Sequence, residues 1–285
     1  MSFRSDSRAA AHTAGGSYRT VEAREAVAGR LSDFLQAKNI QIHDLAHLKT
    51  THVQQFASAR MEAGISTRTL QNEITAIRTM LRAVGREKLA SNLDNKRLGI
   101  AGASRDGTKT ALPDERFAAL RAAVEARDEG VAAVVDLQRA LGLRAEEAVK
   151  SCKSLATWER QLDAGRPVRL IYGSKGGRAR DIRPADTQRA LEAVRAALRL
   201  SKAQGGVLIA KENAKAAMKR YSNVMSTSGF VGRESGHSLR YAFAQDQIAA
   251  YQQQGFTKDE ALAQTSLDLG HGDGRGRWIE QVYSR

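Results

Sequence analysis

The chain has 285 residues, with 45 Lys or Arg against 31 Asp or Glu, a formal net charge of +14. The length suits two domains, and a cationic excess of that size points to a polyanionic partner, nucleic acid ahead of a membrane surface. No run of about 20 apolar residues occurs, which excludes a bilayer-spanning helix. A single Cys152 excludes an internal disulfide framework and a thiolate metal cluster.

The opening stretch, "MSFRSDSRAAAHTAGGS", lacks the apolar core of a signal peptide and reads as a flexible polar tail over residues 1–17. Residues 18–98 then carry three amphipathic patterns. The first places Val27, Leu31, Phe34 and Leu35 on one helical stripe; the second follows Thr50 and Thr51 with Val53, Phe56, Ala57 and Met61. In "AGIS", Gly64 is a stop signal and Ser66 an N-cap, and the third helix carries Leu70, Ile74, Ile77 and Leu81. A small helical bundle is expected. The polar face of its third helix presents Arg68, Asn72, Thr75, Thr79, Arg82 and Arg86. Such side chains suit phosphates and base edges, although a solvated helix face has the same composition.

Residues 99–112, beginning "GIAGASRDGTKT", are rich in Gly, Ser and Thr without periodicity and read as a linker. A second domain, 113–285, starts at Pro113, which suits a first helical turn. "VAAVVDLQRALGL" is nearly all apolar and should be a buried helix. In "VRLIYGSKGGRARDIRP", Val168, Leu170, Tyr172 and Ile182 alternate around a Gly-rich turn, a β-hairpin pattern. Helical patterns resume at "TQRALEAVRAALRL" and continue to the end. The expected fold class is mainly α, with a small antiparallel β-sheet in the second domain.

Several residues invite a chemical reading. In "HSLRYAF", His237 and Arg240 lie three apart and share a helical face. Arg144 follows the buried helix at the Gly142 break, with Glu147 at i+3 to hydrogen-bond it. An arginine aimed into a cleft grips phosphate through a bidentate fork; an ordinary structural Arg–Glu pair has the same spacing. Lys175 sits at the hairpin tip, His271 follows an apolar helix end in "LGHGDG", and Tyr283 lies in "WIEQVYSR". Taken singly, each has an ordinary structural explanation.

Taken in order, Arg144, Lys175, His237-x-x-Arg240, Leu-Gly-His271 and Tyr283 resemble the signature of the tyrosine recombinases, the lambda-type phage integrases. "LGLRAEEAV" resembles the family's Gly-Leu-Arg-x-x-Glu box, "GSKGGRARDIRP" its lysine hairpin and "HSLRYAFA" its His-x-Leu-Arg helix. "STRTLQNEITAIRTMLRAVG" resembles part of the helical, SAM-like core-binding domain, so the resemblance covers residues 18–285. It implies a site-specific recombinase that cuts and rejoins duplex DNA through a 3′-phosphotyrosyl intermediate. Tyr283 would be the nucleophile, Arg144 and Arg240 the phosphate clamps, and Lys175 the general acid for the departing 5′ oxygen. His237 would accept the tyrosine proton or orient the phosphate, His271 would hydrogen-bond a phosphate oxygen, and Glu147 would support Arg144. No metal or other cofactor is required, because guanidinium and ammonium groups supply the positive charge, and no Walker-type loop calls for ATP. The implied partners are double-stranded DNA and further copies of the chain: a tetramer on DNA, a monomer or weak oligomer without it. The implied setting is cytoplasmic and nucleoid-associated, in a prokaryote or phage. Rival readings are a type IB topoisomerase-like or resolvase activity, or a DNA-binding accessory protein with impaired catalysis.

Two departures from the family pattern stand out. Tyr283 follows His271 by 12 positions, more than is usual, and the extra length falls in "GDGRGR". Its three glycines predict a tether that is mobile without DNA and keeps Tyr283 beyond hydrogen-bonding range of Arg240, with Arg275 and Arg277 free to anchor on DNA. The sequence given also stops two residues after Tyr283, short of the helix by which many members dock on a neighbouring subunit.

Overall fold

The structure, a computed structural model, describes residues 2–174 and 177–284. The chain falls into two units, Met1–Ser104 and Arg105–Arg285. The first unit contains α1 (Phe3–Thr13), α2 (Tyr18–Ala37), α3 (Thr50–Glu62), α4 (Thr67–Ala83) and α5 (Glu87–Asn92). Ser17 and Ser66 cap α2 and α4 by accepting the N–H groups of Thr20 and Thr69, each satisfying a donor the helix leaves open. The apolar stripes meet in one core that includes Leu31, Leu35, Phe56, Leu70, Ile74, Ile77 and Leu81. Phe34 meets Phe56 edge to face at 5.6 Å.

The expected tail over residues 1–17 is corrected. Residues 3–13 form α1, which starts in a capping box between Ser2 and Ser5 and buries Phe3, Ala10 and Ala11. It packs on α2 and α4, and Asp6 accepts the Leu45 backbone N–H at 2.8 Å. Two alanines let the backbones approach closely while adding little to the hydrophobic pattern, so the polar composition concealed a docked helix.

Residues 101–113 contain no helix or strand, while Ile100 lies in the core of the first unit and Leu112 in that of the second. The second unit comprises α6 (Asp114–Glu125), α7 (Glu129–Leu141), α8 (Ala145–Val149), α9 (Leu155–Asp163), β1 (Val168–Leu170), β2 (Arg180–Ile182), α10 (Thr187–Ala203), α11 (Ala214–Thr227), α12 (Ser238–Gln253), α13 (Lys258–Asp268) and α14 (Gly276–Tyr283). The apolar α7 is central: it is buried from Gly130 to Leu141 except at Asp136 and packs against α6, α10, α11 and α12. Its one deeply buried arginine, Arg139, is paired with Asp114 and Asp246, as a charge removed from water requires.

β1 and β2 pair antiparallel in the register Val168↔Ile182, Arg169↔Asp181 and Leu170↔Arg180. Val168, Leu170, Ile182 and also Arg180 face inward. Tyr172 falls beyond the strand and is 46% exposed. The fold class is therefore mainly α with a small antiparallel sheet. Among the described residues, no helix is long and apolar enough to cross a membrane.

Candidate functional site

The site is assembled where the ends of α7, α13 and α14 meet the starts of α8 and α12. Gly142 closes α7 in the left-handed region, with φ 60°. A Cβ there would overlap the Phe243 ring, so both the conformation and the space require glycine. Two residues on, Arg144 is the N-cap of α8 and its side chain is 26% exposed. Glu147, fully buried, accepts the Arg144 backbone N–H at 2.7 Å and Arg144 Nη1 at 2.8 Å. Its oxygens also accept Arg180 Nη1 and Nη2, each at 2.8 Å. Burial alone would favour the neutral acid, but the bonds and charge of Arg180, then those of Arg144, hold the carboxyl at about 2. Glu147 is thus an anion that fixes two guanidinium groups.

Arg240, on the first turn of α12, is 1% exposed. It donates from Nη1 to the Gly142 carbonyl, from Nη2 to the Leu269 carbonyl and from Nε to Tyr283 Oη at 3.3 Å. Arg180 Nε donates to the Asp268 carbonyl at 2.9 Å. The open carbonyls at the end of α13, the negative end of its dipole, therefore seat both arginines. Burial lowers the Arg240 pKa to about 10, which leaves it charged at neutral pH. The Asp268 carboxylate secures the same corner, accepting Gln247 Nε2 at 2.9 Å and Tyr251 Oη at 2.8 Å.

His271 follows immediately. Its Nε2 lies 3.2 Å from Tyr283 Oη and 3.4 Å from Arg240 Nη2. Arginine only donates, so Nε2 is the unprotonated nitrogen, and the ring carries its proton on Nδ1. The Tyr283 hydroxyl then donates to His271 and accepts from Arg240. Burial first, then the charges of Arg240, Arg144 and Arg180, lower the His271 pKa to about 3. His237, the N-cap of α12, has its ring 6.2 Å from that of Tyr283 and 5.6 Å from that of Tyr241. Desolvation first, then the charges of Arg240, Arg144 and Lys109, lower its pKa. Its side chain remains exposed, so solvent screens part of this shift.

The expectation of a displaced Tyr283 is overturned. Tyr283 is 1% exposed at the end of α14, with its hydroxyl on Arg240 and His271. Ile279 and Val282 bury one stripe of α14, and the Trp278 ring lies 4.2 Å from that of His271, tilted by 54°. The extra length is taken up by a turn, in which Ser266 Oγ donates to the Gly272 carbonyl at 2.8 Å, and by the helix, which already starts at Gly276. Burying that stripe outweighs the chain entropy of the glycines. Arg275 and Arg277 are exposed.

Lys175 lies outside the described residues. On α4, Arg68 and Asn72 are exposed, as is Arg82, which pairs with Glu87 at 3.1 Å. Arg86 is a correction: it stands beyond α4 and turns inward, donating to the carbonyls of Leu45, Ala46 and Leu48. The residue that sequence reading missed is Arg180. Its signal is period-2 alternation, which puts it on the same face as Ile182; a buried arginine there needs a carboxylate.

Glu147 holds Arg144 and Arg180, and Arg240 lies within their field and donates to the Tyr283 hydroxyl, so the site is cationic around a phenol: the composition of a site for an anion and a nucleophile. The model described as integrase matches residues 99–246, and that described as phage integrase, N-terminal, matches residues 2–90. The chain belongs to the integrase family, that of the tyrosine recombinases. Among solved structures, it is similar to a lambda integrase tetramer bound to a Holliday junction, with 16% identity and TM-score 0.60 over 95% of this chain and 76% of that one. It is also similar to the Tn1549 transposon integrase in complex with transposon right end DNA, with 12% identity and TM-score 0.57 over 98% of this chain and 94% of that one. A lambda integrase dimer bound to a COC′ core site gives 14% identity and TM-score 0.58 over 96% and 75%. At such identities the likeness speaks for the fold. No curated protein matches the chain.

Proposed function

We propose that this protein is a site-specific DNA recombinase that cleaves and rejoins duplex DNA through a covalent bond between Tyr283 and a 3′ phosphate. The observation that carries the reading is the docked hydroxyl, 3.3 Å from Arg240 Nε and 3.2 Å from His271 Nε2. Attack forms the Oη–P bond, breaks the bond from phosphorus to the 5′ oxygen, and releases the phenolic proton. His271 Nε2 already accepts that hydrogen bond, which favours it over His237 as the first proton acceptor. Its basicity is suppressed by burial first and then by Arg240, Arg144 and Arg180, and the charge of an arriving phosphate offsets the arginines' share. Arg144, whose side chain is partly open to solvent, neutralises with Arg240 the charge that builds on the non-bridging oxygens. Removing such a donor costs on the order of 10²–10³ in rate. Lys175 is assigned the proton for the 5′ oxygen, a role worth about 10²–10⁴. Rejoining reverses the steps and conserves the phosphodiester energy, so no cofactor enters.

On this reading the DNA contacts of the N-terminal unit come from Arg68, Asn72 and Arg82 on α4, and those near the nucleophile from Arg275 and Arg277. Duplex DNA is the substrate, and a tetramer on DNA is the working assembly. The test is incubation with nicked suicide duplexes followed by denaturing electrophoresis. Wild-type protein should give an SDS-resistant protein–DNA adduct. Tyr283→Phe should bind the duplex with unchanged affinity and give none; adduct from the mutant would sink the proposal.

A further inference from the structure

We infer that residues 106–110, where the chain enters the second unit, form a strap that positions the nucleophile helix, with Asp106 and Gly107 as its positioning residues. The inference rests on the reading of Tyr283 as the nucleophile and deepens it. α14 has eight residues, too few to be stable alone, and its last carbonyls have no partner within the helix. Two are met from outside. The Gly107 N–H donates to the Gln281 carbonyl at 3.3 Å, and Gln245 Nε2 donates to the Tyr283 carbonyl at 3.0 Å. Beside the first of these, Gln281 Nε2 donates to Asp106 Oδ1 at 3.0 Å. The strap therefore holds Gln281 by both its backbone and its side chain, two positions before Tyr283.

The approach is close enough to exclude a side chain. A Cβ on Gly107 would overlap the Val282 carbonyl oxygen and stand 2.9 Å from the Tyr241 hydroxyl. Tyr241 in turn has its ring 4.6 Å from that of Tyr283. The far end of the strap grips the turn that leads into His237. Thr110 N–H donates to the Arg233 carbonyl at 3.1 Å, and Lys109 Nζ donates to the Gly232 carbonyl at 2.6 Å. That turn is tied to α12 because Ser238 Oγ donates to the same Arg233 carbonyl at 2.6 Å. Five consecutive residues thus link the helix bearing Tyr283 to the turn bearing His237, and the strap sets the distance between nucleophile and pocket. Misplacing a reacting atom by about 1 Å costs on the order of 10²-fold in rate.

The experiment compares single-turnover adduct formation at saturating nicked duplex with duplex affinity and melting temperature. Gly107→Ala should slow adduct formation by about 10–100-fold with duplex affinity near wild type, and should also lower melting temperature because its Cβ displaces the Val282 carbonyl; the Asp106 variants should leave melting temperature near wild type. Gly276→Ala is the control, because its Cβ would meet only ordinary contacts, the nearest at 3.4 Å, and should react normally. Asp106→Ala should be slowed, and Asp106→Asn, which still accepts from Gln281, should recover the rate. A purely structural role of Asp106 would move melting temperature with rate and give no rescue. A wild-type rate in Gly107→Ala, or equal loss in both Asp106 variants, overturns the strap; if Gly107→Ala fails to fold, the Asp106 pair decides. Tyr283→Phe in the same assay separates the two claims: adduct from that variant removes the nucleophile, whereas an inert Tyr283→Phe beside a fully active Gly107→Ala removes only the strap.

Discussion

Glu147 and Arg180, from α8 and β2, form a bidentate ion pair with both N···O distances at 2.8 Å. The same carboxylate holds Arg144 Nη1 at 2.8 Å, so one buried anion orients two cations of the pocket. Removing one partner of a buried pair leaves an uncompensated charge and costs about 3–5 kcal/mol. Glu147→Gln should therefore lower unfolding free energy by that order and slow adduct formation, because Arg144 loses its orientation. Arg180→Lys should also be slow, since an ammonium cannot reproduce the planar fork. Urea unfolding and the adduct assay measure the two effects; a stable, fully active Glu147→Gln would show that the carboxylate does not hold the pocket.

Acid should unfold the protein in two stages. His271 is lowered from 6.5 to about 3, the exposed His237 is shifted in the same direction, and Glu147 is lowered from 4.5 to about 2. Between pH 6.5 and 4.5 the unfolded chain takes up protons that the folded histidines refuse, so stability falls as pH falls. Below 4.5 Glu147 adds a second loss in the same direction. Melting temperature should therefore decline from pH 6.5 downward, and His271→Gln should flatten the decline between pH 6.5 and 4.5. An identical slope in that mutant would mean His271 titrates normally.

The fold class was readable because the stripes through Leu31, Phe56 and Ile74 are periodic, α7 is a continuous apolar run, and the Gly-rich hairpin is a local signal. That Arg144, His237, Arg240, His271 and Tyr283 belong together was likewise legible, from four short phrases of which His237 and Arg240 share one. Arg180 was not, because its importance depends on hairpin register and on a carboxylate 33 positions away. α1 was hidden by its polar composition. The placement of Tyr283 was misread because three glycines suggest freedom, whereas the docking of α14 is decided by Ile279 and Val282 packing at a distance in sequence. Arg86 was counted with the α4 stripe on spacing alone, although the helix ends at Ala83.

Duplex affinity should fall steeply with salt, with a log–log slope of about −0.9 per phosphate neutralised. Arg68→Ala should flatten the slope by roughly one unit. Arg86→Ala should leave it unchanged and instead lower melting temperature, because its guanidinium holds the carbonyls of Leu45, Ala46 and Leu48. Titrations at several salt concentrations measure this, and a flattened slope for Arg86→Ala would return that residue to the DNA surface.

Lys175, as general acid, should matter only when the leaving group is poor. Lys175→Ala should be slowed by about 10²–10⁴ on ordinary duplex and largely recover on a substrate whose 5′ bridging oxygen is replaced by sulfur, since a thiolate leaves without a proton. Equal slowing on both substrates would assign Lys175 to binding.

The most direct measurement is to locate the covalent bond. Adduct trapped on a nicked duplex, digested with protease and nuclease, should yield one nucleotide-bearing peptide, modified at Tyr283 and joined to a 3′ phosphate. Modification at Tyr241, whose ring lies 4.6 Å from that of Tyr283, attachment to a 5′ phosphate, or an absence of adduct would contradict the mechanism.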